Sequence, residues 1–271
     1  MERTPVTGYV LMAAALVAAL GVIGIHDDTL RHGVFTSGYL LLGCVIFLAA
    51  FNLRKRLSFL PLGSASMWLK LHIYISVIGM VLFASHVDFR LPTGKLEKFL
   101  FFLFLTTNLS GLYGLYLTRT VPARLSKLRD EVLYERIPRF RAQVRRRAHE
   151  VVVDLLKQKP ADTIADFYVS QLCDYFVTPR SVFYFLSPSS QLRNQLQGEL
   201  ANLSRYCSDS ELEASRKLGR LIDQRDDLDY HQALQGQLKM WLFGHIGLTY
   251  VLLLIAILHA ILAHAFCGGL A

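Results

Sequence analysis

Two stretches of the chain repeat one pattern. Met67-Trp68-Leu69-Lys70-Leu71-His72-Ile73 is followed by His86, with thirteen residues between the histidines, and Met240-Trp241-Leu242-Phe243-Gly244-His245-Ile246 is followed by His259 at the same interval. Both lie in apolar runs long enough to cross a bilayer, for which about 20 apolar residues suffice. Imidazole is costly in hydrocarbon and needs a partner there, so an intramembrane histidine marks a functional position by default. Fourteen residues of helix rise about 21 Å and complete nearly four turns. The two histidines of each run therefore share a face and stand near opposite sides of a roughly 30 Å apolar core. Side by side, two such helices offer His72 to His245 and His86 to His259.

A single histidine in a span can instead hydrogen-bond a neighbouring helix or mark a proton path. Two pairs at equal spacing, in matched Met-Trp-Leu frames, are hard to obtain from four independent packing accidents. Zinc fits less well, because no cysteine or carboxylate lies on the same face. Bis-imidazole ligation of haem iron fits the donor set. The expected cofactors are two haem b groups, with His72 and His245 on the inner iron and His86 and His259 on the outer one.

Composition sets the surroundings. The 271 residues are 53% hydrophobic and 18% charged, with a net charge of +8. That is too apolar for an ordinary soluble domain and too charged for a wholly embedded one. An all-α fold follows: a five-helix transmembrane bundle with a helical cytoplasmic insertion between the fourth and fifth spans. The expected spans are Tyr9–Ile25, Phe35–Leu53, Met67–Val87, Leu96–Leu117 and Leu238–Phe266. Residues 1–119 then hold spans one to four, 120–237 the insertion, and 238–271 the fifth span with an outer tail. A cleaved signal peptide is the rival reading of the first span, but its basic N-terminal region is weak. Cys44, Cys173, Cys207 and Cys267 form no C-x-x-C pair, which argues against covalent haem and against iron–sulfur or zinc sites.

Orientation follows from the basic loops. Arg54-Lys55-Arg56 adds three positive charges, and residues 119–147 carry ten Arg/Lys against Asp130, Glu131 and Glu135, a net +7. Both fall on one side of a five-span chain whose N-terminus is cytoplasmic and whose C-terminus is outside. The third and fifth spans then run parallel, as the histidine pairing requires. An integral protein of a bacterial inner membrane is the expected location.

In the insertion, Val144, Val151, Val152 and Leu155 recur at helical spacing, and Pro138, Pro160, Pro179 and Pro188 divide it. Asp162-Thr163-Ile164 and Ser208-Asp209-Ser210-Glu211 read as helix starts. The basic run Arg139–Arg147 suits anionic lipid, an acidic redox protein or a solvated face, with lipid favoured so close to a span. Nucleic acid is not an expected partner. No G-x-G-x-x-G or P-loop occurs, so flavin, nicotinamide and nucleotide sites are not indicated. Gly79, Gly111 and Gly114 permit close approach of a flat group or a helix. Lys70, Arg90 and Arg119 stand near span ends, where snorkelling or pairing with a propionate are both open.

The four-histidine pattern resembles the di-haem b-type cytochromes, including the ferric reductase and NADPH oxidase membrane domain and the respiratory cytochromes b. The resemblance covers about half the chain. It implies that His72, His86, His245 and His259 are axial ligands and that the chain is an electron-transfer subunit of an oxidoreductase complex. The chain departs from the oxidase group in three ways: no sixth helix leads to a flavin domain, the inner loop is larger, and the C-terminus falls outside. Electrons are then expected from a separate ferredoxin- or flavoprotein-like carrier or from quinol, with a cytochrome c or similar acceptor outside. With the inside negative, an outward-moving electron gains about 2.3 kcal/mol per 100 mV. A quinol-oxidising or quinone-reducing subunit and a haem-free anchor are the alternatives.

Three histidines stand apart. His264 follows His259 by five residues, a rotation of about 140°, and is not expected to ligate a haem. His231 precedes His245 by fourteen residues, so an unbroken fifth helix would put it on the haem-binding face with a third haem as the alternative, but the matching position before His72 is Ser58, and His149 has no spacing that ties it to His231. His231 is expected to be structural or to help dock the donor. Asp226, Asp227, Asp229 and Tyr230 around it read as the polar, acidic beginning of the fifth helix.

Overall fold

The computed structural model describes residues 33–53, 64–128, 132–158 and 163–267, with positions 13, 17, 18 and 21. The expected first span falls almost wholly outside the described residues, as do Arg54-Lys55-Arg56 and Ser58. Every regular element among the described residues is helical. The chain divides into two compact units, one of Met1–Gly114 with Leu242–Ala271, the other of Leu115–Trp241.

The first unit contains α1 (Gly33–Leu53), α2 (Ala65–His86), most of α3 (Lys95–Leu125) and the C-terminal part of α9 (Asp209–Cys267). Three helices, α2, α3 and α9, are long and apolar enough to cross a membrane, and α1 holds a shorter apolar stretch, Phe35–Phe51. Ser64 caps α2 by accepting the Met67 amide at 3.3 Å. The close approach of α1 to α2 passes over Gly79, where an added Cβ would lie 3.8 Å from that of Cys44. Val45, Phe83, Phe104 and Leu252 form the centre of this unit. Phe83 stacks on Phe104 with ring centroids 4.0 Å apart. Large apolar side chains point away from it, among them Phe102, Leu109 and Leu254. So many exposed apolar residues on helices of this length suit a lipid surround better than water.

Beyond α2 the chain reverses sharply. Asp88 and Phe89 both occupy the left-handed region, with φ of 51° and 53°. Neither is glycine, and each costs about 1–2 kcal/mol in that conformation.

The second unit packs α4 (Ile137–Gln158), α5 (Thr163–Phe167), a π-helical turn (Tyr168–Leu172), α6 (Cys173–Val177), α7 (Val182–Leu186) and α8 (Gln191–Leu203) with the first part of α9. Val144, Ala148, Val152 and Leu155 of α4 are buried at the spacing of one helical stripe. The sequence places helix starts at Thr163 and Ser208, and α5 and α9 begin there. At the second, the Ser208 amide and hydroxyl both donate to Glu211 Oε2, at 2.6 and 2.7 Å. Pro138 occupies the first turn of α4, where its missing N–H costs nothing. Pro179 and Pro188 bracket α7.

Two helices outrun the spans expected within them. The fourth span ends at Leu117, yet α3 continues through Pro122 to Leu125. The fifth span begins at Leu238, yet α9 is one helix of 59 residues from Asp209, about 88 Å of rise. Charged residues end an apolar run without ending a helix.

The acidic cluster before His231 is accordingly not a helix beginning but the middle of α9. Asp226 and Asp229 are buried and ion-paired. Asp229 accepts Arg180 Nε at 2.8 Å, lies 3.5 Å from Arg141 Nε and pairs with the fully buried Arg225. Asp226 accepts the Ser190 hydroxyl at 2.7 Å and Arg180 Nη2 at 3.3 Å. Burial pushes the Asp226 carboxyl above the usual carboxylate range, against the pull of Ser190 and Arg180. Removing one partner of such a network strands the others, at a cost of about 3–5 kcal/mol. Asp229→Ala is therefore expected to destabilise the Leu115–Trp241 helices by about that much and lower their urea midpoint accordingly, read from the urea-sensitive part of the far-UV circular dichroism.

Candidate functional site

In the first unit, α2 and α9 bring their histidines together in register. The rings of His72 and His245 lie edge to face, with centroids 6.4 Å apart and planes at 69°. His86 and His259 line one cavity of about 510 Å³, within the roughly 300–1,000 Å³ usual for small-molecule and cofactor sites. First histidine meets first and second shares a cavity with second, so α2 and α9 run parallel here.

Each pair has one histidine held by a serine from a third helix. Ser37 of α1 lies 3.0 Å from His86 Nδ1 through its hydroxyl. Ser110 of α3 lies 3.3 Å from His245 Nδ1. With Nδ1 donating to the serine oxygen, Nε2 keeps its lone pair for a metal, the usual way a neighbouring group fixes tautomer and ring orientation. The residue after each serine is glycine, and each glycine lies against the same ring. A Cβ on Gly38 would stand 3.2 Å from His86 Cε1, and one on Gly111 3.6 Å from His245 Cε1. Of these four residues only Gly111 stands out in the sequence; Ser37, Gly38 and Ser110 do not. The repeated Ser-Gly dipeptide in two separate apolar helices is the sign that could have found them.

The ring spacing of the inner pair suits bis-histidine ligation of a haem iron. A metal–imidazole bond of about 2 Å plus the ring's own half-width on each side puts the centroids of two trans imidazoles roughly 6 Å apart, close to the spacing of His72 and His245. His72 Nδ1 is buried and without a hydrogen-bond partner among the described residues. No group of three or more His, Cys, Asp or Glu suited to a bare metal ion occurs among the described residues.

No family model, curated protein or solved structure matches the chain.

Around the cavity, Arg90 lines the wall with Phe83, Phe104 and Leu252, and its guanidinium pairs with Asp88 at 3.3 Å. The left-handed turn at Asp88 and Phe89 brings Arg90 back to this wall. Phe51 lies against His72, with ring centroids 5.1 Å apart. His264 also lines the cavity, although five residues separate it from His259. Its Nε2 is hydrogen-bonded to the Tyr39 hydroxyl, and its ring lies 5.4 Å from Phe35. His231 is buried in the second unit, with Nδ1 3.3 Å from Gln235 Nε2. His149 is exposed in that unit, its ring 6.4 Å from Tyr168.

Gly38 is the tightest of these contacts. Gly38→Val is expected to displace the His86 ring and break its Ser37 contact, whereas Gly111→Ala, with ordinary contact distance at His245, should leave the Ser110 contact in place. The histidine Nδ1 resonances of both variants in nitrogen-15-labelled protein measure this.

Proposed function

We propose that this chain is a di-haem b-type cytochrome subunit. It carries electrons across an energy-transducing membrane, between a redox partner on the cytoplasmic side and an acceptor outside. The five-span topology, the cytoplasmic N-terminus and membership of a larger redox complex belong to the same reading. The observation that carries it is the juxtaposition of His72 and His245 within an apolar helical bundle, at a ring spacing suited to one iron between them. The sharing of one cavity by His86 and His259 supports a second site. Three helices long and apolar enough to cross a bilayer supply the setting.

Bound there, haem supplies a one-electron iron couple whose potential depends on its axial ligands and surroundings. The chain's own residues do the rest. Ser37 and Ser110 orient His86 and His245, while Gly38 and Gly111 leave the rings room. Phe51 beside the inner pair, with Phe83, Phe104 and Leu252 at the outer cavity, keeps water away from the imidazoles. Arg90 places a positive charge at the wall of the outer cavity, suited to a propionate.

Purified protein is expected to show low-spin b-type absorbance with two haems per chain. His86→Ala should lower this to one, because the inner pair is untouched. Two full equivalents in that variant would refute the ligand assignment, and a wild-type protein without haem absorbance would refute the function. His264→Ala is expected to keep both haems, since its bond to Tyr39 is not part of either pair. Loss of haem from that variant, with helicity intact, would reassign His264 as a ligand.

A further inference from the structure

The short helix α7 leaves three large apolar side chains bare. Val182, Phe183 and Leu186 are 78%, 81% and 74% exposed. Successive residues of a helix turn by 100°, so these three fall within one arc of about that width. Tyr184 and Phe185 take the opposite side, where Phe185 lies 3.6 Å from the Cβ that a side chain at Gly236 would carry. The exposure is not that of a loose loop, because α7 is fastened on both sides. Before it, Arg180 donates to Asp229 at 2.8 Å and stacks over the Tyr184 ring at 5.1 Å. After it, Gln237 Nε2 donates to the Phe185 and Leu186 carbonyls.

Gln237 determines what the apolar face meets. It lies two residues before Lys239, the last charged residue of α9, and three before Met240, where the apolar run holding His245 and His259 begins. At 1.5 Å per residue, the α7 carbonyls are hydrogen-bonded about 3–5 Å along the helix from the start of that run. Lys239 reaches sideways there, with Nζ 2.5 Å from Glu135 Oε1 and 4.2 Å from the centroid of the Tyr134 ring. A long cation over an aromatic ring beside a span is the pattern of a membrane–water boundary.

We propose that α7 is an interfacial lipid anchor: Val182, Phe183 and Leu186 enter the headgroup–acyl boundary of the bilayer that α9 crosses, holding the Leu115–Trp241 unit down on the membrane. The occupant of this face is lipid rather than a second protein, because its C-terminal end, at Phe185 and Leu186, is tied to the helix at the level where hydrocarbon begins. With α9 spanning the membrane, a bilayer lies at that level in every copy of the chain. The proposal rests on reading α9 as membrane-spanning and is independent of haem.

The test uses the full chain in phosphatidylcholine vesicles, with Cys44, Cys173, Cys207 and Cys267 replaced by alanine and one new cysteine carrying an environment-sensitive fluorophore. The reporter is placed by Phe183→Cys, by Tyr206→Cys as an exposed site elsewhere in the same unit, or by Leu254→Cys as a site within the span. At Phe183 the expected result is quenching by shallow doxyl lipid several-fold stronger than at Tyr206, with matching protection from aqueous iodide. Iodide quenching at Phe183 equal to that at Tyr206, with Leu254 lipid-quenched, would overturn the anchor and leave the span intact. Iodide access at Leu254 would overturn the span and the anchor together. Should the cysteine-free chain not fold, photolabelling of the native chain with a headgroup-level diazirine lipid distinguishes the same outcomes. Adducts on Val182–Leu186 support the anchor, and adducts confined to the spans overturn it.

Discussion

An imidazole inside an apolar bundle has to be given something to bind. In lipid no water supplies that partner, and an unsatisfied nitrogen costs several kcal/mol. The first unit meets this requirement asymmetrically. One histidine of each pair has Nδ1 beside a serine hydroxyl, and in the inner pair the opposing His72 Nδ1 has no partner among the described residues. The helices carrying the serines, α1 and α3, are therefore as much part of the arrangement as α2 and α9, which carry the histidines. Glycine next to each serine lets the helix come close enough for so short a side chain to reach.

The histidine pattern was legible because it is a repeat with a period. Four residues at two equal intervals, in matched flanks, define a face on each of two helices. Ser37, Gly38 and Ser110 were not, and Gly111 was legible only as a place of close approach, since small residues are common in any apolar helix and acquire meaning only beside a particular ring. The all-helical character and the apolar runs were also readable. The extents of α3 and α9 were not, because hydropathy reports where lipid contact ends and says little about where backbone hydrogen bonding ends. Asp226 and Asp229 were misread for a related reason. Arg225 is their neighbour in sequence, but Arg180 and Arg141 lie tens of residues away, and a run of carboxylates whose distant partners are not visible reads as the polar beginning of a helix.

The second unit shows the complementary economy. It concentrates buried charge in one network, in which Arg141, Arg180 and Arg225 converge on two aspartates of α9. Such a network contributes little net stability relative to apolar packing, but it is intolerant of being half-formed. Arg180 takes part in it and also stacks on Tyr184, so the orientation of α7 depends on charges buried in the interior of the unit.

The left-handed pair Asp88 and Phe89 has a consequence for how the outer corner can change over evolutionary time. Glycine at either position would relieve about 1–2 kcal/mol of native strain, and it would also return roughly 0.5–1 kcal/mol of chain entropy to the unfolded state. The strain relieved exceeds the entropy cost by about 0.5–1 kcal/mol, so folding stability on its own favours glycine there. Drift toward glycine at this corner would not be resisted by selection for a folded protein, and it would loosen the reversal that brings Arg90 back to the cavity wall. The identity of these two residues is thus governed by the precision of a site they do not themselves line.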